Sequence, residues 1–227
     1  LAVPEAKLHV LTGDASVGPH ANADELVVEG SAHSGISILS GNSSQGGIYF
    51  GDSADDDEAS IIYDHNTQAL NFTTYTTDSL RIRDAKLSTN GEDAPDVTSG
   101  GITLNQGAND NLIFTLKSSD IAHGMTSNTE TDTYFDIQKS SGAEGGAFMQ
   151  GFSEGTLGMM IFGVHTTDNT AKSTSATAAM ELRGKLKSST SSGDCGSNAN
   201  LIVIRNNATS RFIFDAEGSF HADVEST

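Results

Sequence analysis

Along this chain, apolar residues alternate with polar ones far more often than they recur at helical spacing. Ile36-Ser37-Ile38, Leu70-Asn71-Phe72, Leu80-Arg81-Ile82, Ile102-Thr103-Leu104, Leu112-Ile113-Phe114-Thr115-Leu116 and Met180-Glu181-Leu182 all show it. Period two sends successive side chains to opposite faces of an extended strand. No window carries apolar residues at i, i+3, i+4 and i+7 over three turns, so helix is not expected. Two longer runs, Met159-Met160-Ile161-Phe162-Gly163-Val164 and Leu201-Ile202-Val203-Ile204, predict central strands covered on both faces. Between the runs stand turn formers: Gly41-Asn42, Gly46-Gly47, Asn90-Gly91, Gly100-Gly101, Asn206-Asn207 and Glu217-Gly218. Short strands punctuated in this way predict an all-β fold of short antiparallel strands.

The pattern changes along the chain. Residues 1–90 read as a small Gly-rich β module with very frequent turns. Residues 91–100, with Pro95, acidic side chains and the Gly100-Gly101 pair nearby, read as a linker. Residues 101–227 carry longer and more apolar runs, enough for a β-sandwich-like module of about seven or eight strands. A strand–turn–strand unit recurs in Arg81 to Leu87 and Arg211 to His221, and its first half in Lys7 to Asp14. Hairpins this small are not stable alone in water, which points to neighbours supplied by other copies and hence to a homo-oligomer.

Composition narrows the function. The chain has 227 residues, 24 of them Gly and none Trp, with a hydrophobic share of 36% that is low for a globular protein. Thirty acidic residues against twelve basic ones leave a net charge of −18. Such a polyanion is repelled by nucleic acid and by anionic membranes, so neither is expected as a partner. No apolar stretch approaches the ~20 residues of a membrane-spanning helix. Cys195, in Gly193-Asp194-Cys195-Gly196, is the single cysteine, and the fold must stand without an internal disulfide. With no leader and no initiating Met, the chain reads as a segment of something longer.

Candidate chemistry is sparse. No Gly-x-Ser-x-Gly elbow occurs, and Cys195 lies in no signature that pairs it with a histidine. His9, His20, His33, His65, His123, His165 and His221 are scattered singly, without zinc-site spacing. Glycoside hydrolysis needs two carboxylates about 5–9.5 Å apart, but among 30 acidic residues proximity alone identifies no pair. The glycines of Gly142-Ala143-Glu144-Gly145-Gly146 lack the Lys-Ser/Thr of a phosphate loop. Catalytic and cofactor-binding residues are therefore not expected. Calcium is the ion the sequence would suit best. Asp52, Asp55, Asp56, Asp57 and Glu58 place five carboxylates within seven residues, and hard oxygen ligands match that cation. They do not follow the twelve-residue calcium-loop pattern, and a solvated acidic loop is the plainer reading. Asp215-Ala216-Glu217-Gly218 reads as an ordinary hairpin turn. Asn42, Asn71 and Asn207 open Asn-x-Ser/Thr sequons.

Three stretches carry a family resemblance. Pro4-Glu5-Ala6-Lys7-Leu8-His9-Val10 resembles the P-x-A-K-L-H-V element of tailed-phage fibres. Residues 21–82, including Gly47-Ile48-Tyr49-Phe50-Gly51-Asp52, are similar to Gly-rich β modules in virion structural proteins of marine phages. Arg211-Phe212-Ile213-Phe214-Asp215-Ala216-Glu217-Gly218 through His221-Ala222-Asp223 resembles the close of a second such module. The resemblance implies a trimeric fibre or decoration segment on the virion surface, extracellular and non-enzymatic. Its partners would be its own copies, other virion proteins and a host surface glycan. Because function concentrates on exposed loops, loops 52–60 and 165–176 are the expected contact points. The alternatives are a receptor- or glycan-binding tip module of a phage fibre and a bacterial extracellular filament or matrix subunit.

Overall fold

A computed structural model describes residues 7–222. Pro4, Glu5, Ala6 and Asp223, which carry part of the resemblance, lie outside the described residues. The protein is all-β, with no helix among the described residues. The chain divides into two compact units, Leu1–Thr156 and Leu157–Thr227.

The first unit opens with β1 (Leu8–Leu11) and β2 (Leu26–Glu29), a parallel pair. A six-stranded sheet follows. Its strands are β3 (Gln45–Phe50), β4 (Ala59–Asp64), β5 (Ala69–Thr74), β6 (Thr77–Arg83), β7 (Lys86–Thr89) and β8 (Gly101–Thr103). They lie in sequence order, antiparallel throughout except for the parallel β7–β8 step. The unit ends with a three-stranded antiparallel sheet, β9 (Leu112–Lys117), β10 (Thr133–Ser141) and β11 (Gly145–Gly151), with β10 in the middle.

The second unit holds a short hairpin, β12 (Leu186–Ser188) with β13 (Ser191–Gly193). It also holds a three-stranded antiparallel sheet, β14 (Asn200–Asn206), β15 (Thr209–Asp215) and β16 (Phe220–Ala222).

Turn chemistry explains why the six-stranded sheet closes locally. Between β4 and β5, the Asp64 carboxylate accepts N–H bonds from Asn66 at 2.8 Å and Thr67 at 3.2 Å, the side-chain mimic of a backbone turn. Between β6 and β7, Asp84 and Ala85 both adopt positive φ, 50° and 61°. That is the two-residue geometry that matches strand twist. Asn90 and Gly91 repeat it after β7, with φ of 55° and 69°.

The structure differs from the sequence reading in four places. The stretch 91–100 separates β7 and β8, which are neighbours in one sheet, and the units divide after Thr156 instead. The stretch is tied down by its own polar groups. Ser88 donates to the Glu92 carbonyl at 2.8 Å, and the Glu92 side chain accepts from the Ala94 N–H at 2.8 Å and from Asn105 at 3.0 Å. Turn-rich composition marks a loop here, not a domain border. Second, where a single sandwich was expected over residues 101–227, residues 101–103 join the six-stranded sheet and residues 112–222 form separate small sheets divided between both units.

Third, Met159 to Val164 and Met180 to Leu182 belong to no strand; Phe162 is 78% and Val164 80% exposed. The run passes so near the Ala179 carbonyl that only a glycine fits at Gly163, yet no ladder forms. Ile36 to Ile38 is likewise outside any strand. Fourth, Leu201 to Ile204 does form the middle of β14, but Leu201 and Ile204 are exposed, so the strand is not covered on both faces.

Candidate assembly faces

Registered partners on neighbouring strands share a face, so the pairing pattern sorts each sheet into two sides. In the six-stranded sheet, one row runs Tyr63, Leu70, Ile82, Leu87, Ile102, and the next runs Ile48, Ile61, Phe72, Leu80. Phe50 extends it. This face holds no charged side chain. The opposite face carries Asp64, Asn71, Arg81, Ser88, Ser60 and Thr73, with Ile62 and the exposed Tyr49 as its apolar members.

The two faces are covered in the reverse of the usual order. Ser60, Asn71 and Ser88 on the polar side are buried, and so is Ala69 beside them. Arg81 donates to Asn71 at 3.0 Å and to Asp78 at 3.1 Å, Thr73 donates to Asp78 at 2.8 Å, and Ser88 donates to the Glu92 carbonyl. Asp93 and Pro95 of the 91–100 loop lie over Arg81, Arg83 and Ser88. On the apolar side, Ile48, Phe50, Tyr63, Ile82 and Ile102 remain 39–64% exposed. Ile36 and Ile38 border it, lining a shallow groove of about 360 Å³ with Ile48, Ile61, Tyr63 and Leu70.

The sheet β9–β11 repeats the inversion. Ile137 faces Phe114 and Met149 across its two partner strands, and Phe135 faces Leu116; Phe114, Leu116 and Met149 are exposed. The other side holds Asp136, fully buried between Thr115 and Gln150. Gln150 donates to one Asp136 oxygen at 3.3 Å, and the other oxygen has no protein partner. Phe152, also buried, stacks on His123 at 5.2 Å. The Met125 N–H donates to His123 Nδ1 at 2.9 Å, so Nε2 carries the proton it shares with the Thr133 carbonyl at 2.8 Å.

In the second unit, Ile202, Ile204, Phe212, Phe214 and Phe220 share one face of β14–β16. Phe220 lies 5.6 Å from Phe212 and 5.0 Å from Phe214, ring centre to ring centre. Ile204, Phe212, Phe214 and Phe220 are all exposed.

Among the described residues, Ala69 and Phe152 are the only buried apolar side chains.

The acidic loop is the next candidate. Among the described residues, the one grouping of three metal-ligand side chains is Asp55, Asp56 and Asp57, whose oxygens lie within 4.8 Å of one another, all exposed. Asp52 and Glu58 stand outside it. Asp52 instead accepts N–H bonds from Ala54 at 2.7 Å and Asp55 at 3.2 Å. The hydrogen-bonded Asp55 carboxyl pushes Asp57 above the usual carboxylate range, with Asp56 and Glu58 adding to it.

A groove of about 1050 Å³ crosses the polar side of β9, lined by Thr115, Lys117, Ser119, Asn128, Glu130 and Asp132 among others. Lys117 pairs with Glu130 and, at 3.1 Å, with Asp132. Those acidic partners raise its pKa.

The remaining sequence candidates are dispersed. His9 pairs with Glu29 at 2.8 Å and His221 with Asp215 at 2.9 Å, in different units. Cys195 is a free, half-buried thiol. Asn71 is buried and engaged by Arg81, so its sequon is blocked in the folded chain. The inverted burial was not found from sequence, although the alternation marks both faces. Only the loop placements decide which side is covered. No family model matches this chain, and no curated protein or solved structure is significantly similar to it.

Proposed function

We propose that this chain is a non-enzymatic structural subunit that folds to completion only as a homo-oligomer, a fibre or decoration segment of virion type that presents surface loops. One observation carries the reading: all three larger sheets leave an apolar face open to solvent. Contiguous exposed apolar patches of more than a few hundred Å² mark interaction surfaces in soluble proteins. An exterior with net charge −18 resists non-specific association, which leaves specific packing of matched faces as the route to assembly. The exposed segments 52–58 and 165–176 are then the presented loops. The virion assignment and the trimeric order rest on the sequence resemblance.

Light scattering with native mass measurement across a wide concentration range tests the assembly. A single homo-oligomer is expected, three copies if the resemblance holds. A well-folded monomer at every concentration would overturn the reading.

The groove over β9, lined by six hydroxyl side chains with Asn128, Lys117, Glu130 and Asp132, favours a second reading as a glycan-binding module. Saturable binding to one glycan class on an array would support it.

A further inference from the structure

We infer that the apolar face of the six-stranded sheet is covered, in the working protein, by the same chain from a second copy. The inference rests on the assembly reading above and names its principal contact. The face is large: Ile48, Phe50, Tyr63, Ile82 and Ile102 are 39–64% exposed, and Ile61, Leu70, Phe72, Leu80 and Leu87 are half-buried among them.

The number of open faces argues for contact between copies. Three sheets each leave an apolar face exposed, so several faces must be met, and copies of one chain bring equal numbers of them.

Charge argues for a copy over a foreign partner. The chain carries −18 overall, and an electrostatically recruited protein would settle on the acidic surface. This face has no carboxylate, ammonium or guanidinium, whereas the opposite side of the same strands carries Asp64, Asp78, Arg81 and Arg83. Two such faces meet without bringing like charges together. Rows of Ile, Leu and Phe on strands can interdigitate with a second sheet about 10 Å away.

The test compares three full-length proteins by light scattering over a dilution series, with circular dichroism to confirm retained strand content. These are the wild type, the pair Ile48→Glu with Ile102→Glu, and Arg83→Gln on the polar side. The wild type and Arg83→Gln should assemble alike. The Glu pair should weaken assembly about a hundredfold or more, because a charge buried in an apolar contact is strongly disfavoured. Wild-type-like assembly of a folded Glu pair overturns this face as the contact while leaving the assembly reading intact. A folded, monomeric wild type overturns both.

Should the Glu pair not fold, Ile102→Cys in a Cys195→Ser background decides. At 64% exposure in the single copy, its thiol would react with a bulky maleimide like a free one. At least tenfold slower reaction in the assembled protein is expected. Unprotected reaction there, or protection in a monomer, overturns the proposal.

Discussion

Residues 45–103 and residues 157–185 are both well supplied with apolar side chains, and their backbones are treated in opposite ways. The first stretch is laddered through six strands. In the second, Met159, Met160, Ile161, Phe162, Val164, Met180 and Leu182 stand exposed outside any strand. The difference lies in the connections. Asp64 and Asp84-Ala85 each turn the chain within a few residues, so a strand meets its neighbour at little loop-closure cost. No such pairing turn returns the chain on the run from Met159 to Val164. Apolar content alone does not make a strand; a ladder partner at short range does.

The largest test of that contrast is a pair of alanine substitutions. Phe72→Ala should cost about 2 kcal/mol in urea unfolding, less than the ~3–5 kcal/mol of a fully buried Phe, because Phe72 is half-buried among Ile61 and Leu80. Phe162→Ala should change stability by no more than about 0.5 kcal/mol. Equal losses would mean that Phe162 is covered in the assembled protein, and the contrast would then belong to the single copy alone.

Hydrogen exchange sharpens it further. Strands β4, β5 and β6 are paired on both sides, and their amides should exchange at least about a hundredfold more slowly than those of 159–164. Protection of 159–164 that appears only on assembly would identify that run as a second contact.

A smaller effect isolates the turns. Ala85 sits at φ 61°, where a Cβ is strained. Ala85→Gly should stabilise the protein by about 0.5 kcal/mol in equilibrium unfolding, the relief of strain outweighing the added freedom of the unfolded chain. No change, or a loss, would show that the β6–β7 turn does not limit the sheet.

These contrasts mark what was legible in the sequence. The all-β class and most strands could be read, since alternation such as Leu70-Asn71-Phe72 is set by strand geometry itself. Which face would be open could not. Leu80 and Arg81 announce two faces equally well, and only the placement of Asp93 and Pro95 over Arg81 and Ser88 settles which is covered. Met159 to Val164 read as a buried strand because a continuous apolar run carries no record of whether a ladder partner exists. The acidic set at 52–58 was half legible. Its density was plain, but the Asx turn that diverts Asp52 from Asp55, Asp56 and Asp57 depends on backbone conformation.

The mildest expected effect lies in the second unit, where one side chain takes over the role that several turns share in the first. The Asp215 carboxylate accepts from His221 at 2.9 Å and from the N–H groups of Ser219 at 2.8 Å and Glu217 at 3.1 Å. The His221 contact first, then the backbone bonds, hold its pKa below the ordinary 3.8. A carboxylate depressed in the folded state contributes stability that is complete above the ordinary value and is lost as pH falls through the lowered one. Exchange of the β15–β16 amides, followed from about pH 6 to about pH 3 and corrected for intrinsic rates, should show protection falling only below 3.8. Asp215→Asn retains an acceptor oxygen for the turn but cannot titrate, so its hairpin should be weaker at neutral pH and lack that acid-dependent step. If the step persists in Asp215→Asn, another group closes this hairpin, and the second unit shares its turn chemistry as broadly as the first.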